Sequence, residues 1–141
     1  MQIEKEPIRR WAESIGDPNP IYQDEAYARK AGLGGLLVPP GGHGRCGIVL
    51  KRGAPRPEVK SPFWRRLNGG GEWEFYQPAV SGDVLTITTW LSDVYERQGR
   101  PGIGRMFITE YSSDYVNQRG ELVARSRNWG ITYEGPAEDK K

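Results

Sequence analysis

Cysteine and histidine are almost missing from this chain: in 141 residues there is one of each, Cys46 and His43. A lone cysteine excludes an intramolecular disulfide framework and every multi-cysteine metal site. A zinc site would need His43 and Cys46 together with carboxylates, so no metal is expected. No apolar run approaches the roughly 20 residues of a membrane span. The charged opening Met1-Gln2-Ile3-Glu4-Lys5-Glu6 does not read as a secretory signal. Strong charge is lacking too. Twenty Lys and Arg against 18 Asp and Glu leave +2, which points to neither a nucleic-acid nor an anionic-membrane partner. The expectation is a soluble cytoplasmic protein.

What is present argues for a folded domain. Apolar residues make up 36% and mean hydropathy is −0.70, low for a self-contained globule. Five Trp, seven Tyr and three Phe are nevertheless aromatics that disordered segments lack. The length fits a single domain over residues 1–134, followed by a polar tail over 135–141 that frays from about Glu134. Ile8, Trp11, Ala12 and Ile15 recur at helical spacing, with Pro7 in the first turn and Gly16 and Pro18 as stops. Asp24 caps a second helix, Glu25 to Ala31, closed by Gly32. A Gly/Pro-rich stretch, Gly32 to Gly47, leads into a third helix expected near residues 42 to 51, with Cys46 on it as a small core hydrophobe. Gly53 to Lys60 reads as an exposed loop.

The texture then turns to strands. Trp73 and Phe75 alternate with Glu72, Glu74 and Tyr76, and Ser81-Gly82-Asp83 makes a turn. Leu85, Ile87, Thr89 and Leu91 share one face of a long strand, with Val84, Thr86, Thr88 and Trp90 on the other. Met106 to Val116 and Glu121 to Tyr133 follow as two strands joined by a hairpin at Asn117-Gln118-Arg119-Gly120. Helices followed by long antiparallel strands give an α+β pattern.

One motif carries chemistry. Gly16-Asp17-Pro18-Asn19-Pro20-Ile21-Tyr22 resembles the signature of the MaoC-like hydratase and dehydratase family, in which Gly-Asp-x-Asn-Pro-aliphatic is followed by a catalytic histidine. The resemblance runs through Gly34–Pro40, Asn68-Gly69-Gly70, Tyr76-Gln77-Pro78, Gly82-Asp83-Val84 and Asp93–Glu96, nearly the whole chain. It implies a hot-dog fold, a curved antiparallel sheet wrapped around a central helix, that pairs as a double hot dog. It also implies acyl-thioester chemistry, with coenzyme A arriving as part of the substrate and no cofactor besides.

Two departures bear on function. Tyr22 stands where the family has its histidine, and a phenol with an ordinary pKa of about 10 is a poor base near neutrality. Pro40 falls where the family's oxyanion donor lies, and proline has no N–H to give; Gly41 or Gly42 are the alternatives. Asp17 is then half of an acid/base pair, or only an Asx-type cap of its own turn; Asn19 can cap in the same way, and with Tyr22, Gly41, Gly42 and His43 it is expected to contact the substrate. Tyr22 reads either as a buried aromatic or as an acid. His43, between glycines, is a loop residue or a substitute base. Trp64, Arg65 and Arg66, with Lys51, Arg52, Arg56 and Lys60, either hold coenzyme A phosphates and adenine or form a solvated face.

The resemblance therefore implies the degenerate, histidine-lacking type of MaoC-like domain. Expected is a non-catalytic, substrate-binding subunit of a heteromeric enoyl-CoA hydratase or 3-hydroxyacyl-thioester dehydratase, acting on fatty or steroid-type acyl groups. Its partner would be a second hot-dog subunit with the intact Asp/His dyad. The alternatives are a homodimeric acyl-thioester-binding module and a self-sufficient hydratase using Asp17 with His43 or Tyr22.

Overall fold

A computed structural model of the chain describes residues 1–42, 46–48 and 57–136. The element order is β1 (Gln2–Ile3), α1 (Lys5–Ser14), a 3-10 turn (Pro20–Tyr22), α2 (Glu25–Lys30) and β2 (Gly47–Ile48). Four long strands follow: β3 (Arg65–Phe75), β4 (Thr86–Gln98), β5 (Arg105–Val116) and β6 (Leu122–Tyr133). This is the α+β order expected. β1 pairs antiparallel with β2, and the long strands form one sheet in the order β3-β6-β5-β4. Only residues 99–104 separate β4 from β5, and 117–121 separate β5 from β6. Connections that short join neighbours only when the strands run antiparallel. No helix among the described residues is long and apolar enough to cross a membrane.

The helices follow from their caps. In α1, Ile8 and Ala12 are fully buried, as their spacing predicts. At its end Gly16 adopts φ 69, and the Gly16 and Asp17 N–H groups bond back to the Glu13 and Ala12 carbonyls. This paired closure needs a left-handed residue, which glycine enters without a Cβ penalty. Ile15, expected in the apolar stripe, is instead the C-cap and 56% exposed, because the chain has already left the helix there. Asp24 caps α2 by accepting from the N–H groups of Ala26 (2.8 Å) and Tyr27 (3.2 Å).

The third helix expected near residues 42 to 51 is corrected where that stretch is described. Gly47 and Ile48 are strand, and Cys46 bends into them after a single backbone bond to Gly42 (2.9 Å). Glycines at 41, 42, 44 and 47 make the segment a weak helix former, and pairing with β1 satisfies the backbone better. Positions 43–45 and 49–51 lie outside the described residues. Cys46 is a core residue, though not on a helix, and burial pushes its thiol up to about 11.

By its contacts the chain divides into two compact units. The first comprises Met1–Ala54, Trp73–Thr88 and Asp114–Arg125. It holds the apolar core, with Ile3, Ile8, Leu36, Leu85 and Val123 essentially inaccessible and Trp73 packed 5.2 Å from Tyr115. Asp83 is buried there as well. It accepts from the Val80 N–H (3.0 Å) and the Gln118 amide (2.9 Å), so its charge is compensated.

The second unit comprises Pro55–Glu72, Thr89–Ser113 and Ser126–Lys141 and is held more by polar pairing. Glu110 accepts from the Trp129 indole (2.8 Å), and Arg127 reaches both Glu110 (3.9 Å) and Glu72 (3.3 Å). β3 begins at Arg65, well before the alternation that the sequence displays. Its Gly69 and Gly71 lie so close to β6 that an added Cβ would meet the Trp129 carbonyl at 2.9 Å and the Asn128 side chain at 2.7 Å. Glu134 and Gly135, expected to open a loose tail, are tied by backbone bonds to Arg105 and Ile103. Residues 137–141 of that tail lie outside the described residues.

The capping analysis makes a quantitative prediction. Asp24→Ala should lower stability to urea unfolding by about 1 kcal/mol, with Asp24→Asn close to wild type, because only the alanine removes the acceptor.

Candidate functional site

Strand β3 and the turn after it meet the Leu36–Pro40 segment in the first unit. Leu37 and Val80 form an isolated antiparallel bridge, and the Val38 N–H donates to Ala79 O (2.8 Å). Between these segments lies a cleft of about 340 Å³, lined by Tyr22, Leu37, Val38, Pro40 and the run Phe75 to Ala79. The size falls within the range of small-molecule sites, and the wall is mostly hydrocarbon and aromatic. Phe75 and Tyr76 are exposed at 45% and 49%, so one side of the cleft faces solvent.

Tyr22 reaches the cleft by a chain of local bonds. The Asp17 carboxylate accepts from the Asn19 N–H (3.0 Å), and the Asn19 side chain accepts from the Ile21 N–H (3.1 Å). These two Asx-type bonds start the 3-10 turn that ends at Tyr22. Both polar residues of the motif thus serve the turn, and neither is among the cleft-lining residues.

Tyr22 itself is 8% exposed, and its hydroxyl makes no hydrogen bond among the described residues. Burial first, and the Asp17 carboxylate second, push its phenol above the ordinary value near 10. At neutral pH it is therefore a neutral donor and not a base.

The expected oxyanion donors fare unequally. Pro40 lines the cleft and has no N–H. The Gly42 N–H is spent on Pro39 O (2.9 Å), so Gly42 cannot serve. Gly41 sits at φ 80 and is half-buried, outside the cleft lining. His43 lies outside the described residues, as do Lys51, Arg52 and Arg56. Trp64, Arg65 and Arg66 belong to the second unit and are not brought into the cleft wall. Trp64 is 77% exposed with the Arg65 guanidinium 4.5 Å from its ring, and Arg65 also donates to Glu134 O (2.9 Å). Among the described residues no three His, Cys, Asp or Glu groups converge on a metal position.

The cleft wall itself was missed from sequence. Leu37, Val38, Phe75, Tyr76, Gln77, Pro78 and Ala79 carried no polar pattern to mark them. The signal available was that two of the segments resembling the MaoC-like family, Gly34–Pro40 and Tyr76-Gln77-Pro78, are the ones that converge. Of the hydroxyls there, Tyr76 donates to the Glu74 carboxylate, a bond that raises its own phenol pKa.

A raised phenol pKa has a signed consequence. The folded state holds the Tyr22 proton more tightly than the unfolded chain, so this contribution is complete below pH about 10 and is lost as pH rises through the higher folded value. Urea-unfolding free energies measured across the alkaline range should fall less steeply for Tyr22→Phe than for the wild type, with matching slopes near neutrality.

A model described as FAS1-like, dehydratase domain region, matches residues 1–126. A protein named UPF0336 from Thermobifida fusca is 32% identical over 130 residues, covering 89% of this chain and 79% of that one. A protein of Mycobacterium tuberculosis, named 3-oxo-4,17-pregnadiene-20-carboxyl-CoA hydratase alpha subunit, is 30% identical over 142 residues. That alignment covers 92% of this chain but 44% of the relative, so the chain spans less than half of its length. Among solved structures, the ChsH1-ChsH2 complex from Mycobacterium tuberculosis matches with a TM-score of 0.73 at 20% identity, covering 97% of this chain and 82% of that one. The fold is the hot dog that the motif implied. The chain belongs to the FAS1-like dehydratase region family, of the MaoC-like hot-dog kind.

Proposed function

We propose that this chain, as one domain over residues 1–134, is the substrate-holding, non-catalytic subunit of a heteromeric hydratase or dehydratase of the cytoplasm. Its substrates are fatty or steroid-type acyl thioesters, and coenzyme A enters only as part of the substrate. The observation that carries the reading is the state of Tyr22. Where the family's histidine would act there is a buried phenol that keeps its proton at neutral pH. Hydration of an enoyl thioester needs a base for water and a donor for the oxyanion. Beside Tyr22, Asp17 is engaged in its own turn and Pro40 offers no donor. A partner with an intact Asp/His pair would supply the chemistry.

The open side of the cleft supports the pairing. Phe75 and Tyr76 are aromatic, exposed and contiguous with the cleft wall, a surface that a second hot-dog subunit would cover. The names of the relative, an alpha subunit, and of the solved structure, a complex, accord with a two-component assembly. Trp64, Arg65 and Arg66 remain the proposed contacts for the nucleotide end of coenzyme A, because the exposed Trp64 indole offers stacking, and the half-buried Arg65 and exposed Arg66 offer phosphate pairing.

The test is turnover of medium-chain enoyl-CoA by the purified chain and by the chain co-expressed with a hot-dog subunit carrying Gly-Asp-x-Asn-Pro-x-His. Loss of a general base typically removes about 10²–10⁴ in rate, so the chain alone should not exceed buffer and the complex should be active. Tyr22→His alone should stay inactive, since a missing oxyanion donor costs about a further 10²–10³. Turnover by the isolated chain, abolished by His43→Ala, would replace this reading with a self-sufficient hydratase. Binding without turnover in every pairing would leave a homodimeric acyl-thioester-binding module.

A further inference from the structure

Asparagine occurs at positions 19, 68, 117 and 128, and only Asn68 is followed by glycine. It is exposed and lies in the first half of β3, an edge strand of the four-stranded sheet. Its side chain is turned onto its own backbone. The Asn68 Oδ1 accepts from the Gly70 N–H at 3.0 Å, and Gly70 takes φ 110 with open space where a Cβ would stand. An Asx-type closure of this kind carries the side-chain carbonyl back toward the next peptide nitrogen, and the accepted bond draws electrons from its carbon. Gly69 cannot be exchanged for a bulkier residue that would shield that nitrogen. An added Cβ there would meet the Trp129 Cβ at 2.8 Å and the Trp129 carbonyl at 2.9 Å, so the approach of β3 to β6 requires the glycine.

The other asparagines lack this combination. Asn19 precedes Pro20, whose nitrogen has no proton to lose. Asn117 is buried, its amide donating to Glu121 at 2.7 Å and its oxygen accepting from the Arg119 and Glu121 N–H groups. Asn128 precedes the bulky Trp129 on β6, a strand paired on both sides. We infer that Asn68 is a site of spontaneous deamidation in the folded chain. The Gly69 nitrogen attacks Asn68 Cγ and a new N–C bond closes a succinimide. The bond from Cγ to the amide nitrogen breaks, and ammonia leaves with the proton that Gly69 gives up. Water then opens the ring at either carbonyl, leaving aspartate or isoaspartate, so amide and water become acid and ammonia with no redox step. Aspartate puts a negative charge two residues from Arg66, on the same face of the strand. Isoaspartate also lengthens the backbone by a methylene, directly before the glycine that lies against Trp129. The inference concerns β3 alone and does not depend on the acyl reading of the cleft.

The experiment incubates the full chain in mildly alkaline buffer, folded and in parallel unfolded in urea. Each asparagine is followed by mass spectrometry of tryptic peptides, with isoaspartate counted by methyltransferase labelling. The peptide Leu67–Arg97 contains Asn68 and no other asparagine. In the folded chain the Asn68 amide should be lost to a mixture of aspartate and isoaspartate while Asn117 and Asn128 stay intact. The loss should quicken as pH rises, because the attacking nitrogen must give up its proton. Asn68→Ser should abolish the isoaspartate signal. Conversion at Asn68 in the unfolded chain but not in the folded one, over the same incubation, would overturn the inference, because strand pairing would then lock the side chain. Loss of the Asn128 amide as fast as that of Asn68, or an undiminished isoaspartate signal in Asn68→Ser, would overturn it as well.

Discussion

Two local hydrogen bonds in the Gly16–Tyr22 turn hold the arrangement on which the rest depends. The Asp17 carboxylate on the Asn19 N–H, and the Asn19 side chain on the Ile21 N–H, set the direction in which the chain leaves α1. The glycine closure of α1 at φ 69 makes that turn possible, and the 3-10 step at Pro20–Tyr22 completes it. The result is an aromatic ring packed in the core that also lines a cleft. A motif that in catalytic relatives would present an acid/base pair here presents a fixed phenol. Its acidic residue accepts a backbone bond within the turn.

The cleft inherits its character from the segments that build its walls. Leu37 and Val38 are held against Val80 and Ala79 by a bridge and a backbone bond, which fixes the hydrocarbon wall to the strand side. Gly35 lies so near Ser81 that an added Cβ would meet the Ser81 carbonyl at 2.7 Å, and the Leu36 N–H donates to the Ser81 hydroxyl at 2.9 Å. Binding an apolar ligand is what such a wall does well. Among the described residues the wall holds no carboxylate, imidazole or amine.

Much of the fold was legible because local chemistry and final structure agree. Ile8 and Ala12 of the α1 stripe, the Asp24 cap, the Gly82 turn and the alternation from Leu85 to Leu91 stand where the pattern put them, since each is decided by neighbours in sequence. The start of β3 was hidden because Gly69, Gly70 and Gly71 read as breakers, whereas Gly69 and Gly71 are there to let two backbones approach. The helix expected near residues 42 to 51 failed where described because pairing of Gly47 and Ile48 with β1, forty-odd residues earlier, cannot be read locally. In the site, the loss of the histidine and the structural use of Asp17 and Asn19 were visible from residue types alone. The cleft wall was not, because apolar residues carry no mark of facing a ligand rather than a core. Trp64, Arg65 and Arg66 were singled out by their chemistry, and they are not among the residues that line the cleft.

The central claim is that this chain contributes binding and no proton transfer. It is tested most directly by the turnover number of the assembled two-subunit complex carrying Asp17→Asn in this chain. Asparagine keeps the side-chain oxygen that accepts from the Asn19 N–H but cannot exchange a proton, so the turn is preserved and any acid/base role is deleted. The account predicts kcat within about twofold of the unmutated complex. A fall of about 10²-fold or more, the size expected for loss of a working general acid or base, would contradict it.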